Sequence, residues 1–271
     1  MPTRRKPNSP QAVSDPAVHE HNVFARPYAT VDVVIFTARG ENLEVLLVQR
    51  AQDPTEPFPG RWALPGGFVN VDLDDDLPSC ARRKLFEKTG VRSPYLEQLG
   101  SWGNASRDPR GWSATHVYFA LIPALDAGLD ADLDAAPAVA SVATTGKPAH
   151  TAEVAWFTVD EKLARTRLAF DHAIILRAAI DRLRSKVEYS SLPAFLLPSV
   201  FTLPQLQRAY EIVLGRPVDK SGFRTRMIAA DFLVEVGSVE SNSNRPPMGY
   251  RLKDRSAPVF FPRTFSPRNA D

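Results

Sequence analysis

The chain has 271 residues, 44% hydrophobic and 24% charged with a net charge of +2, which leaves room for one large domain or two modest ones. A single cysteine, Cys80, excludes disulfide frameworks and cysteine-based zinc sites within the chain. No apolar run approaches the roughly 18 residues of a membrane span, and the basic opening MPTRRK lacks the apolar core of a signal peptide, so a cytoplasmic protein is expected.

Residues 1–27 are rich in Pro, Ser, Asn and charge and read as a disordered tail, with His19 and His21 solvated in it rather than binding metal. Two strand-like runs follow, TVDVVIFTA and LEVLLVQ, joined by the turn ARGEN. After the Pro/Gly-rich loop RAQDPTEPFPGRWALPGG a helix is expected from near Asp76. Leu77, Ala81 and Leu85 form its apolar stripe, and Gly90 is its stop. YLEQLGSWG, ATHVYFALIP and EVAWFTV are further strand candidates, and ALDAGLDADLDAAPAVASVATTGKPAH reads as a surface insertion. FDHAIILRAAIDRLRSKV has helical spacing and is expected to link two halves.

Beyond it the pattern changes. Thr202 and Gln205 form a capping-box pair with Pro204 in the first turn. Leu203, Leu206, Tyr210 and Val213 are spaced for a buried face, and Gly215 ends the helix. The turn RPVD, a second capped segment KSGFRTRMIAA, and two short strands around SVESNSNRPPMG complete the order of a winged helix-turn-helix. Charge agrees: Ser191–Asp271 carries 11 Lys/Arg against 7 Asp/Glu, a net of +4, while the first 190 residues carry −2. Thr202, Gln205, Lys220, Ser221, Arg224, Arg226, Arg245 and Arg251 are the residues expected to meet double-stranded DNA.

The other chemistry lies between Arg50 and Arg110. Arg50, Arg61, Arg107 and Arg110 fall in loops beside the expected fold centre, with Asp108 in the turn Arg107–Arg110. Guanidinium forks suit phosphate oxygens, and Phe58, Trp62 and Phe68 in the same loops suit stacking on a base. The stretch GGFVNVDLDDDLPSCARRKLFEKTGV resembles the Nudix box, in which a glycine and an acid precede R-E-U-x-E-E-x-G-U. Arg83 takes the arginine, Lys84 the first glutamate, Leu85 the aliphatic position, Glu87 and Lys88 the two later acids, and Asp75 the earlier acid. Gly66-Gly67 lies about two residues further upstream than the pattern expects. The resemblance implies that positions 84 and 88, on one helix face, belong to the ligand set for magnesium, a hard cation that needs carboxylate oxygens. Lysines there imply no metal and no metal-dependent hydrolysis, with Glu87 a poor substitute.

Taken with WALPGGFV, SRDPRG, AFDHAIIL and above all FTLPQLQRAYEIVLGRPVDKSGFR, the chain resembles the Nudix-related transcriptional regulators of bacterial NAD metabolism over residues 28–262. That resemblance implies an α+β chain in which a Nudix-like α/β/α sandwich with a mixed sheet precedes a winged helix-turn-helix. The expected parts are 28–165 for sensing, 166–190 as a linker helix, 191–262 for DNA, and a tail over 263–271. It further implies a homodimeric repressor of NAD biosynthesis or salvage genes, a palindromic operator, and an effector that is ADP-ribose or a related nucleotide. Arg50, Arg61, Trp62, Gly66, Gly67, Phe68, Glu87, Arg107, Asp108 and Arg110 are the expected effector residues, with no cofactor. The rival readings are an ADP-ribose pyrophosphatase with a rearranged metal site, a nucleotide-sensing adaptor whose C-terminal part binds protein, and a regulator of sugar-utilisation genes.

Overall fold

The computed structural model describes residues 26–90, 92, 95–124, 153–160, 163, 166–239 and 246–262. The expected N-terminal tail with His19 and His21, nearly all of the Ala/Asp-rich insertion, Arg245, and the tail over 263–271 lie outside the described residues.

A seven-stranded mixed sheet is built around β1 (Tyr28–Arg39). β1 pairs antiparallel with β2 (Asn42–Gln49) through the ARGEN turn and with β4 (Gly66–Phe68), and parallel with β6 (Ser113–Leu121). β3 (Trp62–Ala63) and β7 (Val154–Thr158) extend from β2, and β5 (Tyr95–Asn104) closes the far side against β6. As the central strand, β1 is covered on both faces, so its middle is nearly continuously apolar. Val31, Val33 and Ile35 point to one face, while Val34 and Phe36 point to the other.

α1 (Leu77–Thr89) covers the first face with Cys80, Ala81 and Leu85, close to the expected stripe. Asp76 caps it reciprocally with Ser79, and Gly90 ends it at φ 67, a left-handed conformation that glycine adopts without a Cβ clash. α2 (His172–Val187) covers the other face with Ile175, Leu176, Ala179 and Leu183. This helix is more than a linker, because it forms the second outer layer of the sandwich. The hydrophobic cluster it joins runs without interruption from Val34 to Phe261.

The C-terminal part follows the expected order. α3 (Leu203–Leu214) has the Thr202–Gln205 capping box and buries Leu203, Leu206, Ala209, Tyr210 and Val213. α4 (Lys220–Ala229) is capped by Asp219, and β9 (Leu233–Ser238) and β10 (Met248–Leu252) form the hairpin. One strand here, like β3 and β4 at the expected Pro/Gly-rich loop, has no counterpart among the expected elements. Phe201–Thr202, legible only as a helix cap, also pairs as β8 with Gly249 and Tyr250, completing a three-stranded sheet. Two residues are too few to carry a periodicity, and their pairing is set by partners far along the chain, Gly249 for Thr202 and Tyr250 for Phe201.

The two parts are joined firmly. Arg184 Nε donates to Val213 O (3.2 Å), Arg216 Nη2 to Glu188 Oε1 (2.8 Å), and the buried Tyr210 hydroxyl to Ser190 O (2.7 Å). Arg208 on α3 reaches Glu41 in the β1–β2 turn.

Candidate functional site

A cleft of about 260 Å³ opens where β1, β4, the loop after β5 and the start of α2 meet, and a second of about 320 Å³ adjoins it. Arg50, Glu56, Ala63, Leu64 and Gly66 line both. The first also takes in Gly67, Phe68, Arg107, Asp108 and Arg110 as expected, together with Thr30, Asp32, Phe170 and His172.

The floor is a buried polar network. Arg107, only 7% exposed, donates from Nε and Nη2 to Asp171 Oδ2 (3.0 Å) and Oδ1 (2.9 Å), and from Nη1 to Ser113 Oγ (3.3 Å). It also lies 3.8 Å from Asp32. Asp32 accepts from the Thr115 hydroxyl at 2.7 Å and faces His172 Nε2 at 3.6 Å. The backbone N–H of Leu64 donates to His172 Nδ1 (2.9 Å), which puts the ring proton of the neutral tautomer on Nε2, toward Asp32. Burial pushes the Asp32 carboxyl upward, but His172, Thr115 and Arg107 more than offset it and leave it below its ordinary value. Arg107 is thus a fully engaged structural cation rather than the open phosphate fork expected from its loop position. Asp171 makes no side-chain bond to the helix it precedes; its carboxylate goes to Arg107.

Glycine is required at this floor. A Cβ on Gly66 would stand 2.0 Å from Asp32 Oδ1 and 2.6 Å from Val31 O, and Gly67 has φ +148. Gly66→Ala must therefore displace Asp32 or β1, and is expected to cost about 1–3 kcal/mol of unfolding free energy in urea titrations. Unchanged stability would contradict the packing described.

The rim is aromatic and cationic. Arg50 is held by Pro57 O (2.7 Å) and Glu56 (3.1 Å), with its guanidinium 5.0 Å from the Phe170 ring. Phe170 and Phe58, both at positive φ, pack edge to face at 4.8 Å. On the opposite side Arg110 forks onto Asp108 (3.0 and 2.8 Å) and lies 5.0 Å over the exposed Phe68 ring, which meets Tyr28 at 5.7 Å. Three expected residues are not in the cleft. Arg61 is exposed and stacks on Phe58, Trp62 packs on Phe157 against the core, and Glu87 pairs with Arg83 and Lys84.

The acid that answers the α1 arginine is Asp74, not Asp75. Arg83 forks onto Asp74 at 2.7 and 2.6 Å, and Asp74 also takes the Asn70 N–H at 2.8 Å, while Asp75 is exposed. Turn geometry from Asn70 to Asp74 sets this choice, which counting along a motif cannot see. The Arg83 hydrogen bonds hold the Asp74 carboxyl well below the usual carboxylate range, despite burial. A depressed folded-state pKa stabilises the fold above the unfolded value near pH 4, and that contribution is lost as pH falls below it. Asp74→Asn is expected to flatten the loss of stability between about pH 4 and 2, measured by urea titration at each pH.

On the other part of the molecule, Lys220, Ser221 and Arg224 are exposed along α4 while Phe223 and Met227 anchor its inner side; Arg251 is exposed on β10. Arg226 does not belong with them. It is half-buried, with its guanidinium 5.9 Å from the Phe261 ring, and the surrounding burial pushes its pKa down while Tyr210 and Glu188 hold it up. Thr202 is buried, and the cap uses its hydroxyl, the Gln205 backbone N–H and Gln205 Oε1, but not the side-chain Nε2 of Gln205.

An α/β/α sandwich with an arginine-bearing, aromatic-rimmed cleft, fused through its outer helix to a winged helix-turn-helix, defines a ligand-sensing module built onto a nucleic-acid-binding one. Comparison with known proteins agrees with both halves: residues 26–179 match the NUDIX domain model and residues 193–252 the NrtR DNA-binding winged helix domain. The chain belongs to the family of Nudix-domain proteins that carry the NrtR winged helix. It is 40% identical over 247 residues to the "ADPR responsive transcriptional repressor NtrR" of Acinetobacter baylyi, covering 91% of this chain and 90% of that protein. It matches the crystal structure of Shewanella oneidensis NrtR complexed with a 27mer DNA at TM-score 0.74 and 39% identity, over 88% of this chain and 99% of that one. A MutT/nudix family protein from Enterococcus faecalis matches at TM-score 0.65 and 29% identity, over 86% and 91%. Among the described residues no helix is long and apolar enough to cross a membrane.

Proposed function

We propose that this protein is a DNA-binding transcriptional repressor that senses ADP-ribose or a related NAD-derived nucleotide and does not hydrolyse it. In this reading residues 28–165 bind the effector, 166–190 transmit its presence and 191–262 bind DNA. The protein acts as a homodimer in the cytoplasm on a palindromic operator of NAD biosynthesis or salvage genes. The observation that carries it is the placement of α2. Its first residue, His172, lines the cleft, its cap Asp171 holds the cleft's Arg107, and its last turn is bonded to α3 by Arg184, which donates to Val213 O. A rearrangement at the cleft is therefore felt at the helix-turn-helix through one rigid element. Arg50, Arg110 and Phe68 supply cationic and stacking groups for a nucleotide. Lys220, Ser221, Arg224 and Arg251 supply an exposed polar, largely cationic set for DNA.

The test is fluorescence anisotropy on labelled DNA from upstream of the protein's own and neighbouring genes, with and without ADP-ribose. A change in DNA affinity of about tenfold or more is expected, a coupling of roughly 1.4 kcal/mol; affinity indifferent to ADP-ribose sinks the reading. Robust release of AMP from ADP-ribose with magnesium or manganese would instead favour a pyrophosphatase.

A further inference from the structure

The face of α1 that should grip a divalent cation does not fit one. Lys84 and Lys88 lie one turn apart on it, and among the described residues no three His, Cys, Asp or Glu side chains converge as a cation would require. The two lysines are also not idle surface groups. The Lys84 side chain is only 15% exposed, and its Nζ stands 3.3 Å from where a Cβ on Gly67 would be, against the backbone that floors the first cleft. Its ion-pair partner, Glu87, is at 3.5 Å, at the loose end of such pairings. Lys88 lines the adjoining cleft with Arg50, Glu56 and Gly66, and takes no ion pair among the described residues. Arg50 and Gly66 belong to both clefts, so Lys88 borders a groove continuous with the first cleft, while Lys84, in neither lining, reaches up to Gly67, which lines the first.

We propose that Lys84 and Lys88 take the place of the divalent cation and bind the diphosphate of the effector directly, so that nucleotide sensing is independent of metal. This rests on the reading of the cleft as an effector site. Two carboxylates on this helix face would repel a diphosphate, and a bridging cation would be needed to bring them together. Two ammonium groups reverse the sign. They attract phosphate oxygens as compact charged donors and repel the cation itself. The groove keeps a nucleotide-binding shape while losing both the need for magnesium and the means to use it.

Isothermal titration calorimetry of ADP-ribose into the full-length protein, in EDTA and in millimolar magnesium, tests this. The expected affinity in EDTA is within about threefold of that with magnesium. Lys84→Gln and Lys88→Gln are each expected to weaken binding in EDTA by about tenfold, the effect of losing one charge-assisted hydrogen bond. The Lys84→Glu/Lys88→Glu double variant is expected to lose binding in EDTA and to regain it when magnesium is added. Thermal melting of each variant without ligand confirms folding. Native binding that tightens tenfold or more with magnesium, or folded Gln variants that bind in EDTA as the native protein does, overturns this proposal alone. Absence of binding by the native protein in both buffers overturns the effector reading and this proposal with it.

Discussion

Arg107→Ala is expected to destabilise the protein by about 3–5 kcal/mol in urea titration, because it leaves the buried Asp32 and the partly buried Asp171 without their cation. Asp171 would lose both arms of a fork at 2.9 and 3.0 Å, and Asp32 a positive charge at 3.8 Å. Water cannot compensate, since Arg107 and Asp32 are 7% and 6% exposed. Arg107→Lys retains the charge but not the planar fork, and should recover only part of the loss. The neighbouring Arg110→Ala is the control. Its partner Asp108 is itself only 3% exposed but keeps the Arg110 backbone N–H at 3.0 Å, and about a third of the arginine side chain is exposed, so its loss should cost about 1–2 kcal/mol of stability, less than that of Arg107. The two arginines read alike in SRDPRG. A similar cost for both would refute the buried network, while a large difference shows that one arginine builds the cleft and the other borders it.

The second large effect is on DNA. Lys220→Ala with Arg224→Ala is expected to weaken binding roughly a hundredfold and to make the fall of log affinity with log salt shallower, by about one unit of slope for each phosphate no longer neutralised. The reason is geometric: these residues are four apart on the exposed side of α4, opposite Phe223 and Met227. Arg226→Ala should behave differently, lowering stability with little change in the salt slope, because its guanidinium lies against Phe261 and in the field of Glu188. Anisotropy titrations over a salt series separate the two. If Arg226→Ala lowers the slope as much as the double variant does, the inward placement of Arg226 is wrong.

Much of this is legible from residue order. Apolar periodicity locates β1, β2, α1, α2 and α3 because each packs a repeated face against a neighbour, and the period of that face is a local property. Caps are equally plain: Thr202 with Gln205, Asp219, Gly90 and Gly215 act within a single turn. The order helix, turn, basic helix and hairpin identifies the winged helix, and the lysines at 84 and 88 flag a changed cation site.

Placement of charge is the illegible part. Asp32 and His172, the centre of the cleft floor, carry no local mark, because one sits in an apolar strand and the other opens a helix 140 residues later. Their meeting at 3.6 Å depends on how α2 packs across the sheet. Arg61, Trp62 and Glu87 share loops or a helix with cleft residues yet point elsewhere, and Asp74 displaces Asp75 by the geometry of one turn. A charged side chain is long and its loop carries no periodicity, so nothing local dictates its direction. Local rules therefore settle which segments become helices and strands, whereas the partner of each buried charge is settled by long-range packing that brings residues 32, 107, 171 and 172 to one point.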